Sequence, residues 1–285
     1  MSNPAPSFPS FITRTPADLA GWAAQFDHAS LPVLAATADA LQELQANEDA
    51  VDAHLLAELL VGDPLMVLKL LAHVAHLRRG REGSDTETVT AALVMLGIPP
   101  FFRAFGQQAT VEAQLAAQPE ALQGFMRVLQ RSRRAARFAM GFAVHRMDHD
   151  AEVIYEAALL HDFAELLLWL RAPALALEID RRKQADPTLR SAATQRELLH
   201  IELDQLEHAL MLKWRLPALL VQITDEQATQ ATAQRRNVQL AIRVARHSAE
   251  GFDNPALPDD TNDVASLLNI SAEATDRLLR EIDAD

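Results

Sequence analysis

The chain has 285 residues, 49% of them hydrophobic, and a formal net charge of -13 at pH 7. This acidity disfavours nucleic acid and anionic membrane as partners, although a local basic patch could still bind them. Because the sequence contains no cysteine, disulfides, thiol nucleophiles and Cys-ligated metal centres are excluded. The first residues do not resemble a secretory signal, and no apolar stretch is long enough to span a membrane, so we expect a cytoplasmic protein.

The first half of the sequence predicts a tail followed by helices. Four prolines among residues 1–16 predict an extended, poorly ordered tail. A short amphipathic segment follows around Trp22, and a long helical pattern begins near Val33. Asp63 before Pro64 is a helix start signal, and Gly97 is a helix end signal.

The second half is also helical in pattern. Residues 119–147 are long enough for one helix of about seven turns or for two fused helices. Residues 148–173 and 188–216 each read as a further helical segment. We find no convincing strand and no fixed-period repeat. The sequence therefore predicts an all-α fold.

Five motifs, in this order, resemble the HDOD domain, a divergent relative of the HD-type metal phosphohydrolases. They are SLPVL, VGDPLMVLKLLAHVAH, TETVTAALVMLGI, EAALLHDFAELLLW and LKWRLPALLVQI. The resemblance implies a two-lobed helical protein, with a tail and short helix over 1–29, an N-terminal helical lobe over 30–120 and an HD-like bundle over 121–285 that ends in a helical hairpin. Members of this family are mostly bacterial signalling or regulatory modules, and many have no demonstrated enzyme activity.

The resemblance also raises the question of a metal. Catalytic HD enzymes hold their metal with an upstream His, the His-Asp pair and further His or Asp residues downstream. The pair is present here as His161 and Asp162, but the upstream position aligns with Arg131 or Ser132. The downstream positions fall near Leu203 and in the segment TDEQA.

One pair of ligands is too few to hold a metal ion tightly, so we predict neither a metal nor a cofactor. His161 and Asp162 are then a remnant pair, satisfied by hydrogen bonds. If Arg131 projects toward the pair, its guanidinium compensates the charge of Asp162. The alternative is a remnant metal site completed by ligands that the alignment misses.

A basic stripe lies in the same region. Arg127, Arg131 and Arg134 are spaced i, i+4, i+7 and share one face of a predicted helix. The stripe could contact a phosphate, a nucleotide ligand or an acidic partner. Alternatively, it is a solvated face paired with neighbouring carboxylates.

Two other groups of His and Asp residues have the composition of metal ligands but are better explained as helix features. The group His145, Asp148 and His149 is explained by a junction between two helices. In the group His200, Asp204 and His208, the two histidines would be about 12 Å apart along a helix, too far to bind one ion.

Three functions remain. The first is a catalytically inactive HDOD module that binds a regulatory protein partner in a bacterial signal-transduction pathway. The second is an HD-type metal-dependent phosphohydrolase or phosphodiesterase. The third is a DNA-binding regulator that uses the C-terminal helices, although Glu273, Asp276 and Glu281 make that segment a poor surface for phosphates. No membrane partner is expected.

Overall fold

The structure, a computed structural model, describes residues 8–78, 87–186, 191–225 and 232–284. Regular structure in these ranges is helical, and they contain no strand, only an isolated bridge between Val33 and Thr110. The predicted all-α fold is therefore confirmed. The α-helices are α1 Leu19–Ala24, α2 Ala35–Gln45, α3 Ala53–Leu60, α4 Pro64–Leu77, α5 Val89–Leu96, α6 Ile98–Phe105, α7 Val111–Gln114, α8 Pro119–Arg146, α9 Ala151–Leu160, α10 Phe163–Arg171, α11 Pro173–Ala185, α12 Ser191–Leu199, α13 Leu203–Trp214, α14 Ala218–Thr224, α15 Ala233–His247, α16 Leu257–Leu268 and α17 Ala272–Ala284.

The predicted helix start and end signals are confirmed. The Asp63 carboxylate accepts hydrogen bonds from the backbone N–H groups of Leu65 and Met66, and Pro64 is the first residue of α4. Gly97 ends α5 with a φ of 79°, a conformation that glycine adopts without steric strain. Residues 119–146 form one continuous helix, α8, rather than two fused ones.

Two segments predicted as continuous helical patterns are interrupted. His161 and Asp162 separate α9 from α10. His200 adopts a φ of 62° and ends α12, after which Glu202 and Gln205 form a capping box that starts α13. The expectation that His200 shares a helix face with Asp204 and His208 is therefore wrong, because the chain leaves the helix at His200.

The chain forms two compact units, each made of separate stretches of sequence. The first unit comprises residues 1–127 and 163–215, and the second comprises residues 128–162 and 216–285. In the first unit, α3 and α4 pack on α5, α1 packs on α13, and α10 packs on α11 and α13. Trp22 is fully buried and donates its Nε1–H to the backbone oxygen of Leu199, 2.8 Å away.

The second unit is built around α15. Helix α15 packs on α9, α14 and α16, and α16 packs on α17. Phe138 and Phe142 on α8 are fully buried and stack with ring centroids 6.3 Å apart. Leu279 on α17 is also fully buried. The second unit therefore holds Arg131 and Arg134 on α8 together with His161 and Asp162 after α9, whereas Arg127 belongs to the first unit.

The N-terminal tail has no regular secondary structure over residues 8–16, and it is hydrogen-bonded to the end of α10. The Ile12 N–H donates to the backbone oxygen of Arg171 at 2.6 Å. Residues 1–7 lie outside the described part of the chain. Within the described residues, none of the helices has the length and apolar composition needed to cross a membrane.

Candidate functional site

The His-Asp pair occupies the two-residue break between α9 and α10. The flanking residues Leu160 and Phe163 are fully buried, whereas His161 and Asp162 are partly exposed. His161 is the C-cap residue of α9. The two polar residues thus interrupt an otherwise buried run, at the two-residue turn between α9 and α10.

Arg131 contacts the pair directly. It lies on α8, and its Nε–H donates a hydrogen bond of 2.8 Å to Oδ2 of Asp162. The side chains of Arg131 and Asp162 are 21% and 14% exposed, so this ion pair is largely shielded from water. Ser132 is the other residue that sequence comparison placed at the upstream position. Its hydroxyl instead donates to the Val128 carbonyl oxygen one helical turn away.

Positive charge dominates the surroundings of Asp162. Burial of the carboxyl is the largest influence and acts to raise its pKa, whereas the electrostatic influence of Arg131, followed by that of His161, lowers it. The hydrogen bond from Arg131 and the charge of Arg246 act in the same direction. The pKa of Asp162 is therefore held well below its ordinary value, and the carboxylate is ionised.

Each arginine of the basic stripe, Arg127, Arg131 and Arg134, forms an ion pair with a different carboxylate. Arg127 pairs with Asp180 at 2.7 Å, and Arg131 pairs with Asp162. Arg134 makes a bidentate contact with Asp283, with Nε to Oδ1 at 2.7 Å and Nη2 to Oδ2 at 2.9 Å. Each of the three guanidinium groups therefore already contacts a carboxylate of the chain.

The residues near the α8 to α9 junction make contacts other than helix caps. His145 is in the last turn of α8. Asp148 accepts a hydrogen bond of 3.0 Å from Nε of Arg146. Asp150 is the N-cap residue of α9, but its side chain accepts from Gln234 rather than capping the helix. Among the residues that the structure describes, His145, Asp148 and His149 form no group that could hold a metal ion.

The resemblance to HD-type enzymes implies a metal at the His-Asp pair, and the residues present do not fit one. The guanidinium of Arg131 places a permanent positive charge at hydrogen-bond distance from the Asp162 carboxylate. A metal ion bound to the same carboxylate would be repelled by this charge, whereas metal sites need negative or neutral ligands. Across residues 8–78, 87–186, 191–225 and 232–284, no three His, Cys, Asp or Glu side chains are grouped so that they could hold a metal ion. The downstream segment TDEQA lies partly outside these ranges.

The HDOD domain profile matches residues 31–230. The chain belongs to the HDOD domain family. A search of curated proteins finds no match. Several solved structures are similar in fold. The MmoQ response regulator from Methylococcus capsulatus is 22% identical, with a TM-score of 0.66 over 87% of this chain and 97% of MmoQ.

Two other solved structures have a similar fold. A virulence factor from Campylobacter jejuni is 16% identical, with a TM-score of 0.58 over 84% of each chain. An HDOD domain protein from Geobacter sulfurreducens is 18% identical, with a TM-score of 0.50 over 93% of this chain and 95% of that one. At these identities the similarity shows the fold alone.

Sequence reasoning missed two features of this HDOD protein. Arg246, on α15, contributes to the low pKa of Asp162, and nothing in the spacing of the sequence connects these residues. Lys69, on α4, is almost completely buried and donates to the Leu31 carbonyl oxygen at 2.7 Å. A lysine within the apolar run of α4 is the sequence signal that could have identified the second feature.

Proposed function

We propose that this HDOD protein is a catalytically inactive regulatory module that acts by binding a protein partner. The observation that carries the proposal is the shielded ion pair between Arg131 and Asp162. A guanidinium remains charged at every physiological pH, so it neutralises the carboxylate permanently. A divalent cation at the same carboxylate would be repelled by Arg131 and would lack a full set of ligands.

The family relationship supports a regulatory role. MmoQ, which has a similar fold, is described as a response regulator. We extend a regulatory role to this chain as part of the proposal. The surface of the helical units would then provide the recognition, and the His-Asp pair would contribute stability rather than chemistry.

Metal analysis of the purified full chain tests the loss of catalysis. The protein is expressed with manganese and iron in the medium, and its metal content is measured beside that of Asp162→Asn. We expect little metal in either protein, and no manganese-dependent hydrolysis of a generic phosphodiester by the wild type above the level of the variant. About one metal ion per chain in the wild type, lost together with hydrolysis in Asp162→Asn, would overturn the proposal.

Partner binding is tested by quantitative co-purification from the native host with and without a chelator. We expect one or more regulatory proteins to be enriched with the full chain, and the enrichment to survive chelation because recognition does not use a metal. The double variant Arg131→Met/Asp162→Asn is compared with the wild type in the same experiment, since it removes the ion pair with little change in side-chain volume. Enrichment that requires added manganese, or no enriched protein, would contradict the proposal.

A further inference from the structure

A small cavity in the first unit has the properties of an anion site. It is bounded by the tail at Pro9, by residues 25–32, by Gln114 and by the end of α10. Its volume is about 10 Å³, which is room for one water-sized group. Most of the wall is apolar, and the ionisable side chains in the wall are Asp27 and Arg171.

Arg171 is a cation in this wall without a carboxylate partner. Its Nε is buried and makes no hydrogen bond within the described part of the chain, and those residues place no carboxylate in ion-pair contact with it. Burial lowers the pKa of Arg171, which reflects the cost of keeping its charge away from water. Arg127 and Arg134, in contrast, each contact a carboxylate. A partly buried guanidinium of this kind is stabilised by an anion that reaches it.

Two lysines lie behind the wall formed by residues 25–32. Lys213 donates to the carbonyl oxygen of Phe26 at 2.8 Å, and Lys69 donates to that of Leu31 at 2.7 Å. Phe26 and Leu31 both line the cavity. The buried carboxyl of Asp63 partly offsets the charge of Lys69. The cavity therefore lies among more positive than negative charge, although the whole chain is acidic.

Asp27 is the opposing group. Its side chain is 67% exposed, and its Oδ1 accepts a hydrogen bond from the Ala29 N–H at 3.2 Å. An exposed carboxylate is well screened by water and acts weakly at a distance. Asp27 therefore weakens anion binding in the cavity without neutralising Arg171.

We propose that this cavity binds a single carboxylate group through the guanidinium of Arg171. One carboxylate oxygen fits the cavity volume, and a guanidinium donates charge-assisted hydrogen bonds to a carboxylate. The carboxylate belongs either to a small organic acid or to an acidic side chain of a protein segment. The inference goes beyond the proposed function and does not depend on it, because it uses none of the residues around Asp162.

The test is a titration of the full chain with sodium acetate, against sodium chloride at matched ionic strength, followed by the Arg171 Nε–H resonance and by calorimetry. We expect saturable binding of acetate and a shift of that resonance. Arg171→Gln should weaken binding by about tenfold or more, as expected for loss of a charged hydrogen bond. Arg103→Gln, which changes an exposed arginine of the same unit outside the cavity wall, should leave binding unchanged.

Asp27→Asn keeps the proposal testable if Arg171→Gln does not fold. It removes the opposing charge and retains an acceptor for the Ala29 N–H, so acetate should bind several-fold more tightly. A peptide with one internal glutamate, compared with its glutamine version, shows whether a protein side chain supplies the carboxylate, and glutamate-dependent binding supports the proposal. Three results would overturn it: acetate binding no different from chloride, binding unaffected by Arg171→Gln, or a preference for sulfate over acetate.

Discussion

Arg131 and Asp162 are both mostly shielded from water, so each depends on the other for charge compensation. Arg131→Met leaves an ionised carboxylate without its guanidinium, and we expect the free energy of unfolding to fall by about 2–4 kcal/mol. Adding Asp162→Asn removes the uncompensated charge and should recover part of the loss. Urea denaturation of the two variants and the wild type measures both effects.

Arg127→Met is the matched control for that substitution. Arg127 lies on the same helix, but its side chain is 54% exposed in its pair with Asp180. Exposed pairs contribute little, so the free energy of unfolding should change by no more than about 1 kcal/mol. Equal losses for Arg127→Met and Arg131→Met would show that the shielded pair has no special importance.

Because of the Arg131–Asp162 ion pair, the free energy of unfolding should change with pH in the acidic range. The pKa of Asp162 is lower in the folded chain than in the unfolded chain, where a carboxyl has its ordinary value near 4. The stabilisation is therefore complete above that value and is lost as the pH falls below it. Acid denaturation should narrow the difference in stability between the wild type and Arg131→Met. A difference that stays constant as the pH falls would contradict this assignment.

Lys69 gives a pH dependence of the opposite sign. Burial lowers its pKa from 10.5 to about 8, against the opposing influence of Asp63 and Asp27. Below pH 8 the folded chain carries the cost of a buried charge, and this cost is relieved as the pH rises from about 8 to 10.5, so stability increases by up to about 3 kcal/mol. Lys69→Met should abolish the increase, whereas Lys183→Met, at an exposed position, should retain it. Urea unfolding across this range measures the change.

At the scale of the elements, sequence predicted helix type well and helix interruptions poorly. Asp63 and Gly97 mark helix ends through local chemistry, so their roles were readable. His161 and Asp162 lie within a long apolar run whose pattern continues on both sides. At the break, Asp162 accepts a hydrogen bond from Arg131 of another helix, and periodicity carries no information about such partners.

The candidate sites differ in the same way. The resemblance to the HDOD family predicts a contact between Arg131 and Asp162 from the sequence alone, because both positions align with metal-ligand positions of HD enzymes. Nothing aligned Arg171, whose surroundings come from four separate stretches of the first unit. A site of this kind exists only after packing, so sequence spacing cannot indicate it.

Two glycines of helix α8 are packed closely against other side chains, and alanine substitutions there should have different effects. A Cβ at Gly124 would collide with the rigid ring of Trp169, whereas one at Gly141 would meet the flexible end of Ile282. Alanine favours a helix over glycine by about 1 kcal/mol, but the ring cannot move away. Gly124→Ala should lower the free energy of unfolding by about 1–3 kcal/mol, and Gly141→Ala should change it by less than about 1 kcal/mol. Chemical denaturation distinguishes these outcomes, and equal effects would show that Trp169 can move away.

At the scale of the whole molecule, each compact unit is assembled from separated parts of the sequence. The chain passes from one unit to the other after residues 127, 162 and 215. Several contacts inside the first unit join its two stretches. Trp22 donates to the Leu199 carbonyl oxygen, and Gln114 donates to that of Leu170 at 2.8 Å. A boundary drawn once along the sequence, such as the predicted division between residues 120 and 121, cuts these contacts.

The two fragments 1–120 and 121–285 should therefore not fold independently. The first lacks α13, which packs on α1, and the second retains α10 to α13 without α1 to α7. Each fragment would expose core residues such as Trp22 or Trp214, which are almost fully buried in the intact chain. We expect weak or non-cooperative thermal unfolding by circular dichroism for each fragment alone. Co-expression of both should restore a cooperative transition, because all the contacts of the first unit can then re-form. Cooperative unfolding of fragment 1–120 on its own would show instead that the N-terminal lobe predicted from the sequence is a self-sufficient domain.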